Sequence, residues 1–186
     1  MEIITGILSA FGLSASAGLN AYIPLLVVAL LARFTDLIQL SSPWDSLTNG
    51  WIIALLVVLS LIEFFADKIP AINHINDIIQ TFIRPTAGAI VFAASAQVVT
   101  EINPILSLGA GLLVAGGVHA VKSLAVRPFV TATTAGIGDI PVSMAEDFIS
   151  TVLSILSIVL PVLVLVVFII MIVWWSNRRQ RRKIYS

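Results

Sequence analysis

The chain has 186 residues, of which 59% are hydrophobic and 11% are charged. Soluble domains contain about 45–50% apolar and about 25% charged residues, so this composition excludes an ordinary soluble domain and makes lipid the solvent for part of the chain. The formal net charge is zero, and the absence of cysteine excludes disulfides, thiol chemistry and cysteine-based metal sites. The expected fold class is all-α, a polytopic helical membrane protein.

Five apolar stretches follow one another along the chain and predict about five membrane segments. An α-helix needs about 20 apolar residues to cross about 30 Å of hydrocarbon. The first and last stretches exceed this length and contain Pro24 and Pro161, so a tilt or kink is expected in each. The second and third stretches are short. The five stretches are 3–32, 51–66, 85–100, 105–126 and 148–175.

The segments between these stretches differ in character. Residues 33–50 contain Pro, Ser, Asn and Gly and are expected to form an exposed loop. Residues 70–82 are semi-polar with apolar positions at helical spacing, which predicts an amphipathic or re-entrant helix. Residues 129–140 are rich in Thr, Ala and Gly and are predicted to be irregular.

The end of the chain is strongly basic, whereas the remainder holds twice as many acidic as basic residues. Lysine and arginine directly after a last membrane helix indicate the cytoplasmic side. We therefore expect a single transmembrane domain at 1–175 and a basic cytoplasmic tail at 176–186. The basic residues of the tail are Arg178, Arg179, Arg181, Arg182 and Lys183.

Residues 63–85 concentrate ionisable groups in the middle of an apolar chain. If a helix begins at Trp51, Glu63 lies about 18 Å along its axis, and Asp67 lies one turn further on the same face. A carboxylate at that depth costs about 2.5–3.5 kcal/mol unless it meets a partner or water. A polar interior cavity would meet this need. A locally thinned bilayer, or a structural ion pair with Arg84, would meet it as well.

Two ridges of small residues, each with a spacing of four, end in a polar side chain. Gly12 and Ser16 lead to Asn20, and a similar series in the fourth stretch leads to His119, so close helix approach is expected at both. The surrounding strings AGLNA and GGVHA superimpose at an offset of 99 residues, and DIIQT and DFIST form a looser pair. An internal repeat is one interpretation, and chance similarity is the other. Because Pro24 follows Asn20, a helix break there is a further candidate, and a simple kink that faces a neighbouring helix is the alternative.

Basic and acidic groups in the second half of the chain complete the candidate site. Lys122 and Arg127 could neutralise the acids or hold an anion, and a buried His119 could relay protons or be merely structural. Glu146 is first interpreted as an acid that favours the helix dipole, with Asp147 as a second-tier candidate. The candidate ion-binding residues are Asn20, Glu63, Asp67, Asp77, Arg84, His119, Lys122 and Arg127.

No phosphate loop, dinucleotide fingerprint, nucleophile elbow or zinc-protease motif occurs in the sequence. A hard-cation site made of acidic and amide oxygens would have no diagnostic spacing here. We therefore predict no metal, no cofactor and no catalytic residues, and we do not expect an enzyme. The expected partners are the lipid bilayer, a small ion or an anionic headgroup, and a second copy of the chain. Nucleic acid is not expected.

The strings GLNAYIPLL (18–26) and EFFADKIPAINHINDIIQTFIRPTAGA (63–89), with the later HAVKSLAVRP and AED, resemble a family of small bacterial membrane proteins. This family is catalogued as domain of unknown function 4126, and the resemblance covers roughly residues 5–160. The resemblance implies a multi-pass protein of the bacterial inner membrane, and it brings no activity or residue roles. The matching residues are Glu63, Asp67, Pro70, Asp77, Thr81, Arg84 and Pro85.

The expected function is a small transporter or channel with a charged intramembrane cavity. Glu63 and Asp67 would be proton- or cation-linked acids, and the basic groups would neutralise them or hold an anion. A lipid-phosphate flippase is a variant, favoured if basic groups outweigh acidic ones. A structural or assembly factor of a larger membrane complex is the alternative.

Overall fold

The computed structural model shows a protein built from α-helices, with no strand among the residues that it describes. Helices α5 and α6 are joined without interruption by a π-helical segment, Lys122–Val126, and form one continuous helical rod. The described residues contain six such apolar rods. The structure describes residues 2–68, 70–97 and 103–161, and beyond these residues 163, 166, 169 and 170. The helices are α1 (Glu2–Leu19), α2 (Tyr22–Phe34), α3 (Gly50–Ala66), α4 (Pro70–Gln97), α5 (Pro104–Val121), α6 (Arg127–Thr134) and α7 (Asp139–Val159).

Three of the rods are long and apolar enough to cross a membrane, and three further apolar helices are shorter. Many large apolar side chains on these helices are exposed, as expected for a surface that faces lipid. The predicted fold class is therefore confirmed, and the chain is a helical membrane protein. The number of crossings stays a prediction. The long rods are Asn76–Ala96, Pro104–Thr134 and Asp139–Val159. The shorter ones are Ile4–Leu19, Tyr22–Phe34 and Gly50–Ala66.

The first apolar stretch is two helices, separated at Asn20 and Ala21, so the structure shows a helix break where the sequence allowed either a break or a simple kink. Pro24 lies in the first turn of α2, where its missing N–H removes no intrahelical hydrogen bond. The polar interruption therefore comes before the proline and not at it. A backbone break inside an apolar bundle requires partners for its free N–H and C=O groups.

The semi-polar residues 70–82 are helical, as predicted, and they continue into the third apolar stretch as one helix, α4. Pro85 lies inside α4 without ending it. A proline removes a single backbone hydrogen bond, and α4 is held by packing against α1 and α5 on its flanks. This continuity provides the length that the third stretch lacked by itself.

The prediction that 129–140 is irregular is wrong over 129–134, which belongs to α6, and over 139–140, which begins α7. The threonine hydroxyls there donate to carbonyls one turn earlier, for example Thr134 to Val130 at 2.7 Å, so the side chains are satisfied within the helix. The chain turns at Ala135 and Gly136, both with positive φ, and α7 begins at Asp139. The polar segment before the last apolar stretch is therefore helical.

Small side chains let α1, α4 and α5 approach closely in the centre of the bundle. The Ser14 hydroxyl on α1 donates to the carbonyl of Gly111 on α5 at 2.8 Å. On another face of α1, the hydroxyl of Ser16 lies 2.8 Å from that of Ser150 and 2.7 Å from that of Ser154, both on α7. Helix α1 is thus the element around which α4, α5 and α7 pack.

The basic tail and the end of the last apolar stretch lie outside the described residues. The division into a transmembrane domain at 1–175 and a tail at 176–186 therefore stays a prediction, and so does the side of the membrane on which the tail lies.

Candidate functional site

The break between α1 and α2 is held by the buried side chain of Asn20. Its carbonyl oxygen accepts hydrogen bonds from the N–H groups of Tyr22 and Ile23, both at 3.1 Å. Its amide donates to a carboxylate oxygen of Asp147 at 2.9 Å. Asn20 thus caps the start of α2 and connects the break to α7.

Charged side chains contact both backbone ends of the break. The ammonium of Lys122 donates to the carbonyl of Leu19, the last residue of α1, at 3.1 Å. The N–H of Ala21 donates to a carboxylate oxygen of Glu63 at 3.2 Å. A cation therefore lies at the negative end of one helix dipole, and an anion lies at the positive end of the next.

Arg84 is fully buried and joins the two acids at the end of α3. Its guanidinium donates to Glu63 Oε1 at 2.8 Å and 3.2 Å, and to Asp67 Oδ2 at 3.4 Å. Glu63 is 1% exposed and Asp67 is 3% exposed, so neither side chain reaches open solvent. Charges this deep require pairing, because each ion loses several kcal/mol of hydration, of order 20 kcal/mol in the idealised limit.

Arg127 connects the central acids to α4. Its Nη1 lies 2.9 Å and 3.0 Å from the carboxylate oxygens of Asp77, and its Nη2 lies 3.2 Å from Asp67 Oδ2. The side-chain amide of Asn76 also donates to Asp67. Asp67 is therefore the hub of the network, with Lys122 at 4.0 Å as a third cation.

Three charged residues of the network are not in the predicted set. Glu146 pairs with Lys122 at 2.7 Å, and Asp147 pairs with Lys68 at 3.2 Å. The interpretation of Glu146 as a first-turn acid is wrong, because α7 begins at Asp139 and Glu146 lies two turns inside it. The signal that could have found it is a polar stripe at helical spacing on α7, all of it buried. The stripe is Ser143, Glu146, Asp147, Ser150, Ser154 and Ser157.

His119 lies between Arg84 and Thr81. Arg84 Nη1 lies 3.4 Å from His119 Nδ1, and Thr81 Oγ1 lies 3.2 Å from His119 Nε2. Because a guanidinium can only donate, the contact fits a neutral ring with its proton on Nε2. The Thr81 hydroxyl in turn donates to the carbonyl of Asp77 at 2.8 Å. Because His119 Nε2 donates to the Thr81 hydroxyl, it cannot accept the proton of that hydroxyl. Thr81 and His119 therefore do not form a nucleophile activated by a base.

All eight predicted residues lie in this one buried network. Within the described part of the chain, the network holds five carboxylates and four cationic side chains. No group of three or more His, Asp or Glu side chains there has the arrangement of a metal site. The network's chemistry is therefore that of ion pairs around a broken helix. Its carboxylates are Glu63, Asp67, Asp77, Glu146 and Asp147, and its cations are Lys68, Arg84, Lys122 and Arg127.

The sequence model of a family described as Domain of unknown function (DUF4126) matches residues 7–179. The chain belongs to the DUF4126 family. The match confirms the resemblance carried by residues 18–26 and 63–89, and it extends beyond the expected 5–160 into the basic tail. The DUF4126 chain matches no curated protein and no solved structure. Because the family description assigns no activity, a function has to rest on the geometry of the charged network.

Proposed function

We propose that this DUF4126 protein is a small membrane transporter or channel in which the buried charged network binds and passes a small ion. The observation that carries this proposal is the helix break at Asn20 and Ala21, with Lys122 and Glu63 on its two free backbone ends. In many transporters, discontinuous helices place such ends at the middle of the membrane, where they bind ions. Ionisable groups inside a membrane bundle commonly mark ion pathways.

The similarity of two short strings in the sequence supports the same proposal. The string AGLNA covers the last residues of α1 and the break itself, and GGVHA lies at the end of α5, just before the π-helical segment. Asn20 of AGLNA contacts Asp147, the first residue of DFIST on α7. His119 of GGVHA contacts Thr81, the last residue of DIIQT on α4. Each of the two similar helix ends therefore contacts one of the two similar strings. Structural repeats with interrupted helices are a frequent plan of secondary transporters.

The balance of charge favours a cation or proton over an anionic headgroup. Within the described residues, the carboxylates of the network outnumber its cations, and each cation contacts a carboxylate. A phosphate-bearing headgroup would need unpaired basic groups, which are the usual partners of phosphate. A lipid-phosphate flippase is therefore the less favoured variant.

An assembly factor is the second candidate, and one specific observation favours it. Arg84 and Lys122 are buried with carboxylate partners at 2.8 Å and 2.7 Å, which is what a purely structural network would also require. We do not propose an enzyme, because the Thr81–His119 contact has the wrong proton arrangement for a nucleophile and base. We place the protein in the bacterial inner membrane with a cytoplasmic C-terminal tail, as the basic tail favours.

Asp67→Asn is expected to reduce ion flux through reconstituted protein by about tenfold or more, since a lost charge-assisted contact is worth about 1.5–3 kcal/mol. Asp67 faces Arg84, Arg127 and Lys122, so neutralising it changes the charge that each cation meets. Flux is measured in proteoliposomes with radioactive rubidium and sodium and with an internal pH dye. Scrambling of a fluorescent anionic lipid is measured in parallel to test the flippase.

Asp36→Asn is the matched control, because Asp36 lies exposed in the loop after α2 and the chemical change is identical. Its flux should equal that of the unaltered protein. If the unaltered protein passes none of these probes, or if Asp67→Asn folds and passes them at the unaltered rate, the transport proposal fails. Co-purification of a partner that Asp67→Asn loses, with no flux in either protein, would support the assembly factor.

A further inference from the structure

The ammonium of Lys122 lies inside a set of oxygen atoms contributed by three other segments. It is 2.7 Å from Glu146 Oε2 on α7, 3.1 Å from the carbonyl of Leu19 at the end of α1, and 4.0 Å from Asp67 Oδ2 after α3. Lys122 is 3% exposed, so the ammonium is buried inside the protein. Two carboxylates and one backbone carbonyl thus surround the ammonium, and Arg127 contacts both carboxylates from another side, at 3.2 Å and 3.5 Å.

Local backbone structure places both the charge and the carbonyl. Lys122 is the first residue of the π-helical segment that joins α5 to α6, and such segments occur frequently at functional sites. The Leu19 carbonyl is available because α1 ends at the break and α2 starts afresh at Tyr22. Two independent departures from regular α-helix therefore meet at this point.

The oxygen of this set that lies nearest to the ammonium belongs to Glu146. Glu146 Oε2 is 2.7 Å from Lys122 Nζ and 3.5 Å from Arg127 Nη2. The strength of such a contact between opposite charges depends mainly on their charge and distance, so a spherical monovalent cation can form it as well. The oxygen is therefore suited to a bound ion as well as to an ammonium.

We propose that these oxygens form a monovalent-cation site, for an ion of the size of ammonium, potassium or rubidium, which Lys122 itself fills in this structure. The bound ion would carry a single positive charge, because the site loses one positive charge when the Lys122 ammonium leaves it. A divalent ion would bring one positive charge more than the lysine that it replaces, whereas a monovalent ion keeps the charge balance of the site. Carbonyls at the ends of interrupted helices coordinate monovalent ions in transporters.

The inference deepens the proposed function and rests on it in one respect. If the protein transports, the carried ion and the Lys122 ammonium exclude one another, since both need Glu146 Oε2 and the Leu19 carbonyl. Exchange between them would let each ion enter without leaving a buried carboxylate unpaired, which is the costly state. Binding itself can be measured without any transport.

Lys122→Ala is expected to turn the site into one that takes its cation from solution. In detergent, the midpoint of thermal unfolding of this variant should rise saturably, by about 5 °C, when choline chloride is replaced by potassium or rubidium chloride at equal ionic strength. The unaltered protein should show no such difference, because its own ammonium occupies the site. Equilibrium dialysis with radioactive rubidium should find about one ion per chain of the variant.

Lys122→Ala/Glu146→Gln is the matched control, because it removes the carboxylate together with the lysine and keeps the charge balance. This double variant should bind no rubidium and should unfold at the same temperature in both salts. Lys122→Met, which keeps the apolar stem, repeats the test where alanine leaves too large a void. Equal unfolding temperatures of both single variants in the two salts would overturn the proposal.

The remaining outcomes separate the site from transport. If neither single variant folds even with potassium present, the ion does not replace the ammonium and the cation site is refuted. If the variants bind rubidium while the unaltered protein passes no ion, the site stands as a structural cation site and the transport proposal falls. If flux is found without rubidium binding to the variants, transport stands and the cation site falls.

Discussion

Arg84→Ala is expected to lower the free energy of unfolding by about 3–5 kcal/mol, which is the range for removing one partner of a buried ion pair. Arg84 is fully buried, and its guanidinium contacts Glu63, Asp67 and His119. Its loss would leave the Glu63 carboxylate with the N–H of Ala21 as its remaining described partner. The unfolding midpoint in detergent should fall by about 10 °C, measured by intrinsic tryptophan fluorescence.

Arg33→Ala is the control, since the Arg33 side chain is exposed and donates to the carbonyl of Thr48 in the loop. Exposed interactions of this kind contribute about 0–1 kcal/mol, so its unfolding midpoint should change little. Arg84→Lys separates charge from shape, because a lysine keeps the charge but loses the fork that reaches Glu63 and Asp67 together. If Arg84→Ala unfolds at the same temperature as Arg33→Ala, the network does not stabilise the bundle.

The double variant Glu63→Gln/Arg84→Gln distinguishes an ion pair from a mere loss of packing. Removing both charges leaves no uncompensated ion between the two positions, while Asp67 keeps Arg127 at 3.2 Å. The double variant should therefore be more stable than Arg84→Gln alone. Such non-additive effects on the free energy of unfolding are found for groups in contact and not for distant ones. Additive losses would mean that Glu63 and Arg84 act independently.

The burial of the central acids could be predicted from the sequence because helix length sets depth. Too few residues precede Glu63 for it to leave a bilayer by the far side, and the structure places it 1% exposed with Arg84 as its partner. An interruption near Asn20 could be predicted for a similar reason, because Pro24 follows four residues later in an apolar stretch, but the sequence allowed a simple kink as well as a break. Both predictions come from local spacing and from the cost of unpaired groups in lipid.

The pairing of the charges could not be predicted, because it depends on how helices far apart in sequence pack. Arg127 reaches back 50 residues to Asp77, and Asn20 reaches forward 127 residues to Asp147. The interpretation of Glu146 as a first-turn acid is wrong because α7 begins at Asp139 and not at the apolar stretch, so Glu146 lies inside the helix on its buried face. In a membrane bundle, buried polar residues at helical spacing mark the inward face of a helix and do not by themselves mark its end.

Gly111→Ala is expected to destabilise the bundle by about 1–3 kcal/mol, although alanine is the better helix former. A methyl group at Gly111 would meet the Gly88 carbonyl, and it would lie 2.6 Å from the Cβ of Phe92 and 2.7 Å from the Cα of Ala89, all on α4. Most of these are backbone or near-backbone atoms that cannot rotate away, so α4 and α5 would have to separate. The same shift would stretch the hydrogen bond from Ser14 to the Gly111 carbonyl.

Gly109→Ala is the matched control. Gly109 lies about half a turn before Gly111 on the same helix, and an added methyl group there meets nothing within 4 Å. It should leave the unfolding midpoint unchanged or raise it, by at most about 1 kcal/mol, because only the helix propensity changes. The two substitutions are chemically identical. If they change the unfolding midpoint in opposite directions, the difference is due to the close approach of α4 and α5 and not to helix propensity. Equal effects of both on the unfolding midpoint would mean that α5 does not pack against α4 through Gly111, and the inward placement of His119 two turns further along α5 would then lose its support.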